Sequence, residues 1–144
     1  MELYEFFNKI ALQNGYETIS FNFYNYLENT YFYKELAINK IKLFLENQSK
    51  EKEVWIWGAG EAGQAVLHYL NRSKYTVNGY IDSDPRKHNS LVMEKIIKNP
   101  ESFIFTRNTK IIISSFHAFK EISSFLETVD LKCEEDYIFP YKSE

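Results

Sequence analysis

The chain has 144 residues, a formal net charge of −3 and a pI near 5.7. That suits one domain burying its own core and gives no basic footprint for DNA or RNA. The single cysteine, Cys133, excludes an internal disulfide framework, and only three histidines leave no basis for a structural zinc site. No apolar run reaches the roughly 18 residues of a membrane span. The start, "MELYEFFNKI", lacks the basic region and cleavage site of a signal peptide, so a cytoplasmic protein without a membrane span is expected.

Residues 1–50 read as a helical N-terminal segment. Leu3, Phe6, Phe7, Ile10 and Ala11 recur at helical period, and Asn14-Gly15 supplies a turn or C-cap. "SFNFYNYLEN" satisfies both the strand and the helix period. Thr30 is placed to cap a longer helix that carries Ala37, Ile41, Phe44 and Leu45 on one side. The aromatic surplus, including Tyr4, Phe6, Phe7, Phe21 and Phe23, either covers a sheet or forms a surface for self-association or a partner enzyme. Base stacking is a weaker option, since no basic residues accompany it. "NQSKEKE" is the expected boundary.

Residues 51–144 alternate short apolar runs with helical patterns. Val54, Ile56 and Trp57 predict a buried strand, with Trp55 and Trp57 in the core. Glu61 to about Asn71 predicts a helix with Ala62, Val66, Tyr69 and Leu70 inward. "TVNGYID" predicts a second strand ending at Asp82, and "EKII" a short third. Asn99-Pro100-Glu101 carries the signals of a helix start. "KIIIS" predicts a fourth strand, Ala118, Ile122, Phe125 and Leu126 a final helix, and "DYIFPY" a last strand. Glu134, Glu135 and Asp136 read as a solvated acidic turn. The expected class is α/β, a Rossmann-like parallel sheet of about five strands covered on both faces.

Gly58, Gly60 and Gly63 form G-x-G-x-x-G between a strand and a helix, and Asp82 ends the next strand about 20 residues on. Gly58 would allow the turn, Gly60 would let a phosphate approach the backbone, and Gly63 would seat the helix against the strand. The N–H groups around Glu61 to Gly63 would then face a diphosphate, with Asp82 accepting from ribose. The bland alternative is a tight turn with Asp82 capping "DSDP".

"VWIWGAGEAGQAVLHYL", "VNGYIDSDPRK", "KIIISS" and "DYIFPY" resemble the small Rossmann-like nucleotide-binding domains of bacterial surface-polysaccharide and glycan biosynthesis. Such domains precede sugar-nucleotide dehydratases and sugar acetyltransferases. The resemblance spans roughly residues 53–141. It implies a nucleotide or nucleotide-sugar with Gly58, Ala59, Gly60, Glu61 and Ala62 at the phosphates. Asp82 would meet the ribose or base, with Ser83 and Lys87 beside it. "HNSLVMEKII" replaces the family's usual G-x-P-V segment, which alters that side of the pocket.

Ser114, Ser115 and His117 follow the fourth strand on the ligand-binding edge of such a sheet. The serines are candidate ligand contacts or helix caps. His117 is the one candidate acid or base, with a surface residue as its alternative. His68 and His88 read as surface positions, and Cys133, before "EED", as unreactive. There is no G-x-x-x-x-G-K-[ST] loop, no Tyr-x-x-x-Lys pair and no G-x-S-x-G elbow. The expected function is nucleotide or nucleotide-sugar binding as an accessory module or partial enzyme of bacterial glycan biosynthesis. The rivals are a small NAD(P)-dependent oxidoreductase, an S-adenosylmethionine transferase, and a non-catalytic interaction or oligomerisation domain.

Overall fold

The computed structural model describes residues 34–46, 52–73 and 75–141. The amphipathic stretch over 3–11, the Asn14-Gly15 turn, the aromatic stretch over 20–29, the Thr30 cap and most of the polar connector lie outside the described residues. The elements in chain order are α1 (Lys34–Glu46), β1 (Glu53–Trp57), α2 (Glu61–Arg72), β2 (Gly79–Ile81), a 3-10 turn (Pro85–Lys87), β3 (Leu91–Val92), β4 (Lys95–Lys98), β5 (Thr109–Ile113), α3 (Phe119–Thr128) and β6 (Tyr137–Ile138).

The strands form one six-stranded sheet in the order β3-β4-β2-β1-β5-β6. Every pairing is parallel except β3 with β4. β1 lies between β2 and β5, with Trp55 opposite both Gly79 and Ile111. From β1 the chain winds outward through β2 to β4, then returns to the other side of β1 for β5. The strand order therefore reverses between β1 and β5, where open α/β sheets leave a crevice beyond the strands' carboxyl ends.

Side chains alternate across the strands, so each strand feeds two cores. Val54, Ile56, Tyr80, Ile97 and Ile112 meet α2 through Val66, Leu67 and Leu70, and α1 through Ile41, Phe44 and Leu45. Trp55, Trp57, Ile81, Ile111 and Ile113 meet α3 through Ile122 and Leu126 on the opposite face. The α1 stripe of Ala37, Ile41, Phe44 and Leu45 is buried as its spacing predicts. In α2, Leu67 is fully buried while Ala62 and Tyr69 are only half-buried, so the inward stripe is rotated from the expected one. Phe125 stays partly exposed but packs edge-on against Trp57 and Phe105.

Three features depart from the pattern in the sequence. Asn99-Pro100 starts a turn, not a helix: the Glu101 N–H donates to Asn99 Oδ1 at 3.0 Å and the Ser102 N–H to the Asn99 carbonyl at 3.2 Å. The chain then runs extended, because Phe103 and Phe105 alternate inward. Phe103 meets Trp55 edge-on at 4.8 Å, and Phe105 stacks on Trp57 at 5.9 Å. A helix could not present two residues spaced by two to the same face.

The second departure is β3, which forms a hairpin with β4 through Met93 and Glu94. Both have positive φ, 51° and 66°, as a type I′ turn demands. Without glycine or asparagine the turn carries no sequence signal. Left-handed backbone costs such residues roughly 1–2 kcal/mol each. Glu94→Gly should therefore raise stability by about 1 kcal/mol in urea unfolding.

Asp136 is the third departure. It is buried rather than solvated, and its Oδ1 lies 3.0 Å from the buried Lys110 Nζ. Lys110 also donates to the Glu135 carbonyl at 2.8 Å, and the Lys132 N–H to Asp136 Oδ2 at 2.8 Å. Asp136 directly precedes β6 and Lys110 is the second residue of β5, so the pair sits at the sheet's amino end, away from the glycine loop.

Candidate functional site

Gly58 directly follows β1 with φ of +117°, a conformation that side-chain-bearing residues rarely adopt. A Cβ there would also fall 2.6 Å from Ser114 Oγ. This turns the chain sharply into α2, with Gly60 at the N-cap in extended geometry. Gly63, in the first turn, passes so close to β1 that a Cβ would lie 1.8 Å from the Gly58 carbonyl oxygen. Gly60 is the opposite case: a Cβ there would meet nothing within 4 Å. The first and third glycines thus serve packing, and the middle one borders open space.

The loop is braced from two strands and the helix. The Gly58 N–H donates to the Ile81 carbonyl at 2.8 Å. Ser114, just past β5, donates its backbone N–H to the Trp57 carbonyl at 2.9 Å. Its hydroxyl oxygen lies 3.0 Å from the Trp57 carbonyl and 3.1 Å from the Gly58 carbonyl, to which it donates. Gln64 donates its N–H to the Gly60 carbonyl at 3.0 Å and its Nε2 to the Ala59 carbonyl at 3.1 Å. No side chain caps the start of α2, so the N–H groups that open the helix face the crevice side with the helix dipole behind them.

Asp82 immediately follows β2. Its Oδ2 accepts the Ala59 N–H at 2.9 Å, and its Oδ1 accepts the Asp84 N–H at 2.9 Å. The Asp82 N–H donates to the Lys98 carbonyl at 3.1 Å. His88 Nε2 is 2.6 Å from the Asp82 carbonyl, an acceptor, so that nitrogen carries the proton. Lys87 Nζ lies 3.6 Å from Asp82 Oδ2. Arg86 engages Asp84 through Nε and Nη2, at 3.1 and 3.0 Å. That pairing holds the Asp84 carboxyl down at about 2, so Asp84 stays ionised and matched by its arginine.

The sequence-predicted residues gather on one sheet edge. Gly58, Ala59, Gly60, Glu61, Ala62 and Gly63 follow β1, Asp82, Ser83 and Lys87 follow β2, and Ser114, Ser115 and His117 follow β5. Within that set the roles divide. Ala59, Gly63 and Ser114 are buried and bind the loop together. Gly60, Glu61, Ser83 and His117 are exposed, while Ala62, Lys87 and Ser115 are half-buried. His117 lies in the turn before α3, and no acid or nucleophile among the described residues pairs with it.

Sequence reasoning missed an aromatic group on the same edge. Phe116 follows β5, and Phe139 and Tyr141 follow β6. Phe116 lies 4.6 Å from Tyr141 and 5.9 Å from Phe139, and Phe119 stacks on Phe139 at 4.3 Å. Aromatic residues directly after parallel strands were the available signal. No group of three or more metal-ligating side chains occurs among the described residues. Nor is any described helix long and apolar enough to cross a membrane.

Residues 50–139 match the family model described as C2185-like, N-terminal, and the chain belongs to that family. No curated protein matches the chain.

Proposed function

We propose that this member of the C2185-like N-terminal domain family binds a nucleotide or nucleotide-sugar at its glycine loop. It would do so as an accessory module or partial enzyme of bacterial glycan biosynthesis. The observation that carries the binding reading is Gly60. Around it the loop is fixed by hydrogen bonds from β2, β5 and α2, yet at Gly60 itself there is open space. A turn needing glycine only for packing would have its glycines crowded, as Gly58 and Gly63 are.

The opening lies at the switch between β1 and β5, beside the uncapped start of α2. A diphosphate there would receive backbone N–H donors without displacing a side chain. Lys87 would add a positive charge at the rim. The glycan context rests on the resemblance of the loop and of "IDSDPRK" to domains from that metabolism. NAD(P) would use the same loop and is the competing ligand in the titration that follows.

Titration with UDP-, GDP- and CDP-sugars, NAD(H), NADP(H), coenzyme A and S-adenosylmethionine tests the reading. A response confined to one nucleotide class supports it and names the ligand. A flat response at millimolar concentrations removes it. Gly60→Val should leave stability within about 1 kcal/mol of wild type, since the N-cap backbone is extended and the space empty. The same change should weaken nucleotide binding by more than about tenfold, or about 1.4 kcal/mol, as read by calorimetric titration.

An interaction domain is the second reading, favoured by α1. Leu36 and Leu43 are 43% and 60% exposed there. Leu43 also borders a groove of about 400 Å³ lined by Phe44, Phe119, Tyr137, Ile138 and Phe139. A stable oligomer by light scattering, combined with no nucleotide response, would favour this reading over the first.

A further inference from the structure

We infer that Asp82 is a positioning residue: it serves a bound phosphate by holding the glycine loop in shape, rather than by gripping the ribose. This rests on the nucleotide reading above and departs from the role first expected of Asp82. A carboxylate waiting for ribose hydroxyls would point its oxygens toward the crevice. Both Asp82 oxygens are instead committed inside the protein, Oδ2 to the Ala59 N–H and Oδ1 to the Asp84 N–H, each at 2.9 Å. The side chain is only 15% exposed.

The bond to Ala59 has a consequence for the phosphate site. Ala59 sits between Gly58, whose φ of +117° makes the turn, and Gly60, which borders the open space. The peptide joining Ala59 to Gly60 has its carbonyl held by Gln64 Nε2 at 3.1 Å. The peptide before it has its N–H held by Asp82 and its carbonyl by Ser114. With both planes fixed, the direction in which Gly60 and the following N–H groups face is fixed too. Site preorganisation of this kind lowers the ordering cost paid on binding.

Asp82 is itself immobilised. Its N–H bonds Lys98, its carbonyl bonds His88, and Lys87 balances its charge at 3.6 Å. The loop from Asp82 to His88 thus forms a cradle for one carboxylate. Charge-assisted bonds to backbone N–H groups are stronger than neutral ones. An asparagine has one oxygen and one NH2, so it must turn a donor toward one of the two N–H groups. Asp82→Asn therefore keeps the size and breaks the arrangement.

The test compares wild type and Asp82→Asn for binding of inorganic pyrophosphate and of UDP, GDP, CDP and ADP. Amide hydrogen exchange of Ala59 is followed in parallel. Positioning through the loop predicts that Asp82→Asn weakens pyrophosphate and the nucleoside diphosphate by similar factors, about tenfold or more. Ala59 exchange should accelerate by at least as much, while Val54 to Trp57 keep their protection. Loss of nucleoside diphosphate binding with pyrophosphate binding unchanged would overturn the inference, because Asp82 would then be touching the sugar. If wild type binds none of these probes, the nucleotide reading fails by itself. The loop-holding role then stands if Ala59 exchange accelerates in Asp82→Asn, and falls if it does not.

Discussion

Gly63→Ala is expected to be the most damaging single-methyl change among the described residues. The added carbon would lie 1.8 Å from the Gly58 carbonyl oxygen and 3.0 Å from both its carbon and Ser114 Oγ. The nearest obstacle is backbone, so no rotamer change relieves it. Either α2 must lift from β1 or the Gly58 turn must open. Lifting α2 pulls Val66, Leu67 and Leu70 out of the core they share with Ile56 and Tyr80. Overpacking costs about 1–3 kcal/mol and occasionally more, and a backbone collision of this depth belongs at or above the upper end. Urea unfolding should show it as a lowered midpoint. The contrast with Gly60→Val, larger in volume yet nearly neutral, separates the packing glycine from the one at the open site.

Asp136→Asn is expected to destabilise the fold by about 3–5 kcal/mol, the usual cost of breaking a buried ion pair from one side. Lys110 would keep its charge at 3% side-chain exposure without its carboxylate, and the single amide oxygen of asparagine could serve either the Lys110 ammonium or the Lys132 N–H, not both. Burial alone would raise the Asp136 carboxyl, but the Lys132 N–H and the Lys110 ammonium outweigh it and hold it below the ordinary carboxylate range. A lowered folded value means the unfolded chain binds the proton more readily. The stabilisation is then full above the unfolded value of about 3.9 and fades as pH falls through the lower folded one. Wild type and Asp136→Asn should differ most near neutrality, begin to approach each other below about pH 4 and converge only below the lowered folded value, measured as unfolding midpoints across an acid series.

Much of the fold was legible because the relevant signals are local. Val54 to Trp57, between Glu53 and Gly58, and Ile111 to Ile113, between Lys110 and Ser114, are apolar runs too short for helices, and both became central parallel strands. The stripe of Ala37, Ile41, Phe44 and Leu45 needed only its own period to declare a buried face. The glycine loop was legible for a stronger reason. Of three glycines at that spacing between a strand and a helix, Gly63 answers to a collision and Gly58 to a positive φ, while Gly60 borders open space.

What escaped was decided by partners distant in sequence. Asn99-Pro100-Glu101 offers the same cap to a helix or to a turn. Trp55 and Trp57, more than forty residues earlier, settle the choice by receiving Phe103 and Phe105. Asp136 sits among Glu134 and Glu135 and resembles a solvated run. Lys110, 26 residues away, buries it. Met93 and Glu94 adopt a turn that their types disfavour, because the sheet gains β3 as an antiparallel edge. At the candidate site the sequence located Asp82 at the end of β2, but not that its carboxylate is turned back on Ala59.

The central claim is that the open space at Gly60 is a nucleotide's phosphate site. The most direct measurement is a ¹H–¹⁵N correlation spectrum recorded while the responding nucleotide is titrated in. The account predicts the largest shifts at the amides of Gly60 to Gly63, with smaller ones at Ser83 and Ser115, and their loss in Gly60→Val. Shifts centred on the groove beside Leu43 and Ile138, with the loop amides unmoved, would contradict it.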